Sequence, residues 1–248
     1  DQLKNMSIIL PLISELHNPS MRDRHWLQLA KVCGREKVEP NDPKFTVGDM
    51  IEFDIHEKPD DVSEVVETAQ KELKIETKLK GIEAQWADFE LLFVQHKDTE
   101  MMMMRMTEEI IEALDGDQLE LQTMIGMGKF VEYFKDRVLK WQKTLGDVQE
   151  TTKVWQLVSK SWASLESIFL ASADIRASLP EDTKRFEGIN SEFTELMKNA
   201  VLTPKVIECC TFEGREELLR SCKERLDMCQ KSLNDYLDVK RKIFPRFY

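Results

Sequence analysis

The run Val154-Trp155-Gln156-Leu157-Val158-Ser159-Lys160-Ser161-Trp162-Ala163-Ser164-Leu165-Glu166-Ser167-Ile168-Phe169 decides the fold. Trp155, Val158, Trp162, Leu165 and Phe169 recur at steps of three, four, three and four. On a helix those positions form one stripe, whereas a strand would scatter them over both faces. The stripe carries two indoles and a phenyl ring, so it demands burial against other helices. Burying one such side chain contributes roughly 1.5–3 kcal/mol before entropy is charged. Just upstream, Phe130, Phe134, Val138, Trp141 and Leu145 form a second stripe, read as a separate helix.

Similar periodicity extends outward. Leu219, Cys222, Leu226, Cys229, Leu233 and Tyr236 step by three and four, predicting a helix from about 213 to 243 that Pro245 ends. Leu179-Pro180-Glu181-Asp182 starts a helix through Met197, and Pro204 opens a short piece ending near Cys210. Upstream, Val65, Ala69, Leu73, Leu79, Ile82 and Trp86 predict a long helix from Asp61. Ile8, Ile9, Leu12, Ile13 and Leu16 suggest a short helix interrupted near Pro11, and Met21 to Val32 a second one. Residues 34–60 are irregular, with Thr46 able to cap a short helix through Met50 and Ile51.

One stretch breaks the helical period. Phe89–Val94 and Met101–Met104 flank the polar turn Lys97-Asp98-Thr99-Glu100, which predicts a β-hairpin packed on helices. The methionine run is alternatively an adaptable protein-binding surface. Beyond it, Thr107 caps a helix through Leu114, Asp115-Gly116-Asp117 reads as a break, and Leu119–Met127 follows. The fold expected is mainly α: an array of antiparallel helices, as helical bundles in series, with one small β-hairpin. Three segments are expected: 1–58, N-terminal helices and an irregular stretch; 59–128, the long helix, hairpin and short helices; 129–248, a C-terminal helical bundle.

Composition narrows the function. Charged residues make up 33% of the 248, the net charge is −11, and Gly (9) and Pro (8) are scarce. An acidic chain does not suit duplex binding, which rests on neutralising phosphates, so no nucleic acid is expected. No apolar run approaches the roughly 18 residues of a membrane span, so no membrane is expected either. The chain starts at Asp1 without an initiator Met and stops at Phe247-Tyr248, and so reads as a fragment. The five cysteines form no C-x-x-C pair and read as buried thiols.

Catalytic patterns fail on inspection. Gly126-Met127-Gly128-Lys129 resembles the end of a P-loop, but Thr123 stands where the first Gly belongs and Phe130 where Ser or Thr would hold magnesium. Asp23 and His25 have no nucleophile placed with them by a recognisable motif, and His25 beside Trp26 reads as a packed histidine. No catalytic, cofactor-binding or metal residue is assigned.

Three blocks, in order, carry a family resemblance. Met21-Arg22-Asp23-Arg24-His25-Trp26 resembles the M-R-x-R-H-W block of the dynein heavy-chain linker. Trp162-Ala163-Ser164-Leu165-Glu166-Ser167-Ile168-Phe169, with Ala173-Asp174-Ile175-Arg176 and Leu179-Pro180, resembles its W-x-x-L-E-x-I-F…D-I…L-P block. Lys240-Arg241…Phe244-Pro245-Arg246-Phe247-Tyr248 resembles the linker end before the first AAA module. Met21-Arg22-Asp23, Arg185-Phe186-Glu187-Gly188 and Asp235-Tyr236-Leu237 resemble axonemal heavy chains, the outer-arm ones among them, more than cytoplasmic dynein.

The resemblance implies a non-catalytic lever. In the family, the linker arches over a ring of six AAA modules and switches between bent and straight shapes. The resemblance therefore implies that ATP and Mg belong to the parent ring and not to these residues. It implies as partners the AAA ring of the same heavy chain, other dynein subunits and, indirectly, microtubules. The axoneme of a cilium or flagellum is the implied location, with the cytoplasm as alternative. Phe244, Pro245, Arg246 and Phe247 are the expected ring junction. Arg22, Arg24, His25, Trp26, Trp162, Leu165, Glu166 and Phe169 are the expected structural motif. A spectrin-like or coiled-coil scaffold or adaptor is the competing reading.

Overall fold

A computed structural model describes residues 2–36, 38, 40 and 46–243. These residues form ten α-helices and one two-stranded antiparallel sheet. The helices are α1 (Gln2–Leu16), α2 (Asp23–Val32), α3 (Val47–Glu52), α4 (Pro59–Asp88), α5 (Glu108–Ile125), α6 (Lys135–Ala171), α7 (Ala173–Ser178), α8 (Pro180–Leu202), α9 (Val206–Cys210) and α10 (Arg215–Ile243). The strands are β1 (Leu92–Gln95) and β2 (Met102–Arg105). The expected class, mainly α with one hairpin, is what the structure shows. Among the described residues, no helix is long and apolar enough to cross a membrane.

The chain divides into two compact units, Asp1–Gly81 with Thr123–Val138, and Ile82–Gln122 with Leu139–Tyr248. The segments 1–58, 59–128 and 129–248 are successive along the chain, whereas each unit is assembled from two separate stretches.

In the first unit, Ile9, Leu12 and Leu16 of α1 pack with Leu29, Met50, Ile55, Val62, Val65 and Val66. Pro11 does not interrupt α1, contrary to expectation. A proline inside a helix costs about 3 kcal/mol, but three buried large side chains in one stripe contribute roughly 1.5–3 kcal/mol each. Thr46 caps α3 as expected: its Oγ1 accepts from the Asp49 N–H at 3.4 Å, and its own N–H donates to Asp49 Oδ2 at 2.6 Å. Helix α4 begins at Pro59, two residues before the expected start, since proline suits the first helical position.

In the second unit, the Leu145–Phe169 stripe meets α8 and α10. Phe169 stacks on Phe186 with ring centroids 5.4 Å apart, and Trp162 lies 5.8 Å from Phe193. The Trp155 Nε1–H donates to Met197 Sδ at 3.2 Å. Pairing of 155 with 197, 162 with 190 and 169 with 186 makes α6 and α8 antiparallel. Arg225 reaches Glu192 and the Cys229 thiol reaches the Asp182 carbonyl at 3.6 Å, so α8 and α10 are antiparallel too.

The two expected helices of residues 130–169 are corrected to one helix of 37 residues, with Phe130 and Phe134 in a preceding 3-10 segment, Gly128–Phe134. Thr152 explains the continuity. It is buried between Val148 and Trp155 on the same stripe, and its hydroxyl donates to the Val148 carbonyl at 2.7 Å. A polar residue that bonds its own helix does not end it. Asp115-Gly116-Asp117 likewise fails to break α5. Glycine costs a helix only about 1 kcal/mol, and Asp117 Oδ2 accepts the Trp86 indole N–H at 2.7 Å.

The hairpin forms where expected, pairing Leu92 with Arg105 and Gln95 with Met102. Met101 and Met104 are buried, and Met102 and Met103 are half-buried. An isolated antiparallel bridge between Glu90 and Lys205 ties the segment before β1 to the segment before α9. There the Leu91 N–H donates to the Pro204 carbonyl at 2.8 Å and the Val206 N–H to the Phe89 carbonyl at 3.0 Å.

Candidate functional site

Each unit holds a histidine–glutamate pair, and each pair contains residues of a family-like block. In the first unit, Arg22 sits extended before α2 (φ −118°, ψ 166°). Its backbone N–H donates to His25 Nδ1 at 3.0 Å, satisfying one helix-end donor. That bond fixes the neutral tautomer: the proton resides on Nε2, which donates to Glu72 Oε2 at 3.0 Å. Arg24 Nε donates to the same oxygen at 2.7 Å, and its NH2 also pairs with Glu72. The Arg24 guanidinium lies 3.9 Å from the Tyr133 ring centroid, a cation–π contact. His25 is 1% exposed. Burial lowers its pKa below the ordinary 6.5, although the Glu72 carboxylate pulls the other way.

This cluster separates the roles expected for the first block. His25 is interior and hydrogen-bonded, as its place beside Trp26 suggested. Trp26 is half-buried against the core of the unit. The Arg22 side chain is largely in solvent, 3.6 Å from Glu76, and what it contributes inward is its backbone. Arg24 bridges the surface and Glu72.

In the second unit, Glu166 of α6 faces the hairpin tip. Glu166 Oε2 accepts from His96 Nε2 and from Lys97 Nζ, both at 2.9 Å. Burial alone would raise the Glu166 carboxyl, but the bonds from Lys97 and His96 outweigh it and hold its pKa below the usual range. Lys97 adopts φ +52°, a left-handed conformation uncommon outside glycine, which lets the turn aim two consecutive side chains at one oxygen. His96 also lies edge-on to Trp162 at 5.1 Å, and the Trp162 indole N–H donates to Asn190 Oδ1 at 3.0 Å. Leu165 and Phe169 are fully buried.

The structure thus gathers Arg22, Arg24 and His25 in one cluster, and Trp162 and Glu166 in another, with Leu165 and Phe169 in the core beneath. Phe244, Pro245, Arg246 and Phe247 lie outside the described residues. Sequence reasoning missed Glu72, Tyr133, His96, Lys97 and Asn190. Glu72 did leave a signal: it interrupts the apolar face of α4 between Ala69 and Ile75, both buried. A carboxylate at a core position calls for a cationic or hydrogen-bonding partner. His96 left none, since its partner is distant in sequence.

Both carboxylates collect two donors from another element, an arrangement that fixes orientation and adds specificity. The cysteines are thiols that burial makes hard to ionise: Cys209, Cys210, Cys222 and Cys229 are buried, and burial pushes Cys210 up to about 12. Cys33 is only half-buried, a departure from the expectation of buried thiols throughout.

Residues 1–248 match the family described as dynein heavy chain, N-terminal region 2. The dynein beta chain, flagellar outer arm, of Chlamydomonas reinhardtii is 43% identical over 251 residues, covering 100% of this chain and 5% of the relative. The dynein axonemal heavy chain 17 of Mus musculus is 39% identical over 246 residues, covering 99% and 5%. The dynein beta chain, ciliary, of Tripneustes gratilla is 36% identical over 247 residues, again covering 99% and 5%. The chain therefore spans about 5% of the length of these relatives.

Proposed function

The chain belongs to the dynein heavy chain family as its N-terminal region 2, and we propose that it serves there as the C-terminal part of the linker, a lever in an axonemal outer-arm motor. The observation that carries this reading is the antiparallel packing of the 37-residue α6 on α8 through Trp155, Trp162, Phe169, Phe186 and Phe193. A lever must convey force without internal slack, and protein interiors packed to crystal-like density have low compressibility. The axonemal assignment is supported by the names of the relatives, which are flagellar, axonemal and ciliary chains.

In this reading the chemistry lies elsewhere. ATP and Mg act in the AAA ring of the same heavy chain, and the linker moves microtubules indirectly through that ring and alongside other dynein subunits. Biasing a two-state joint from 1:99 to 99:1 takes about 5.5 kcal/mol of differential binding, which the ring supplies. Phe244, Pro245, Arg246 and Phe247 form the junction: the proline stops the helix, and the aromatics with Arg246 set the exit direction. The test is a whole motor carrying Phe244→Ala and Phe247→Ala. Slower microtubule gliding is expected, and an unchanged velocity would remove the junction from the account.

A further inference from the structure

At the corner between α9 and α10 the second unit opens a groove of about 490 Å³, lined by residues of α8, of the 212–214 turn and of the start of α10. Its apolar surface comes from Leu196, Leu218 and Phe212, and Phe212 is 52% exposed, unusual for a phenyl ring. Its rim carries three carboxylates, Glu192, Glu195 and Glu213. Glu192 is matched by Arg225, with one bond at 2.9 Å and a second, shorter one. Glu195 and Glu213 take no ion pair among the described residues.

The one cation in the lining, Arg215, is turned inward. It is 4% exposed, and its NH1 donates to the Cys209 carbonyl at 2.6 Å and to Cys209 Sγ at 2.8 Å. NH2 reaches Asn199 Oδ1 at 3.4 Å. Its guanidinium carbon sits 4.9 Å from the Phe212 ring centroid, so it holds that ring in place at the groove wall. Gly214 makes the corner at φ +76°, a conformation that a side chain would strain. The corner therefore fixes an apolar wall, commits its positive charge to the interior, and leaves unneutralised negative charge at the rim.

From this we infer that the groove between α8 and the start of α10 docks a basic helix of another part of the motor assembly, which inserts an aliphatic side chain against Phe212 and sets Lys or Arg against Glu195 and Glu213. A groove between two helices suits the helix-in-groove mode, and the unmatched rim charge selects the sign of the partner. The basic end of α10, Lys240-Arg241-Lys242 beside the exposed Val239 and Ile243, has this chemistry. It cannot bind within the same molecule: it lies at the far end of a 29-residue helix, about 40 Å away at 1.5 Å per residue. The occupant is therefore not the basic end of α10 of the same molecule.

The test places a photoreactive phenylalanine analogue at position 212 of the intact motor and identifies the crosslinked peptide by mass spectrometry. The expected product is a helical segment rich in Lys and Arg. In a second motor carrying Glu195→Lys and Glu213→Lys the crosslink yield should fall about tenfold, as reversing complementary rim charges weakens encounter and retention. These two side chains are solvent-exposed, so the fold tolerates the change. A crosslink to an acidic or neutral segment, no peptide crosslink at all, as a small-molecule occupant would give, or a yield indifferent to charge reversal would overturn the inference.

Discussion

The His25–Glu72 and His96–Glu166 pairs use the same side chains to different ends. In the first unit the histidine begins a helix and is almost wholly buried, and Glu72 receives it together with an arginine. In the second unit the histidine sits in a hairpin turn, and Glu166 receives it together with a mostly exposed lysine. The difference teaches where the cost of disruption lies. A buried carboxylate that loses or abandons its cation leaves an uncompensated charge, whereas a partly wetted one is rescued by solvent. The first pair is thus part of the core, and the second is a clasp that sets the hairpin on α6.

Removing each carboxylate in turn breaks this comparison most directly. Glu72→Ala should cost the first unit about 3 kcal/mol, because His25 and Arg24 lose their shared acceptor. Denaturant unfolding would show it, with Trp26, the only tryptophan of that unit, as local reporter. Glu166→Ala should cost less, about 1 kcal/mol, and act locally. Amide exchange should quicken in the hairpin turn at Thr99 and Met101, while the α6–α8 core keeps its protection. Equal costs for the two variants would erase the distinction.

The smallest effect sharpens it by pH. The lowered pKa of His25 means that the unfolded chain binds more protons than the folded one as pH falls through 6.5. Its contribution to stability is therefore full above pH 6.5 and is lost below it, toward the folded pKa. Thermal melts of the first unit at pH 7.5 and 5.5 should differ in that direction, and His25→Gln, which keeps a donor toward Glu72 but does not titrate, should flatten that part of the difference.

How much of this was legible in the sequence follows from where each interaction closes. Stripes such as Trp155–Phe169 and Leu219–Leu233 close within a few turns and were read directly, as were the hairpin and the Thr46 cap. Helix ends were misread where a local rule met a distant force. Pro11 was outweighed by the core of the first unit, and Asp117 was engaged by Trp86; Thr152 is the local exception, since its hydroxyl bonds its own helix. The site was half legible: His25, Trp162 and Glu166 stood in recognisable blocks, but their partners Glu72, Asn190 and His96 lie far along the chain. A bridge such as Glu90–Lys205 leaves no local period at all.

The most direct test of the lever reading is the ratio of microtubule gliding velocity to ATP turnover in an intact motor carrying Phe169→Ala. That change opens a cavity where Phe169 stacks on Phe186 and should cost about 3–5 kcal/mol of local packing. The account predicts that turnover persists while gliding slows, so the ratio falls. A ratio that stays at the unmodified value, with amide exchange showing the α6–α8 packing loosened, would contradict it.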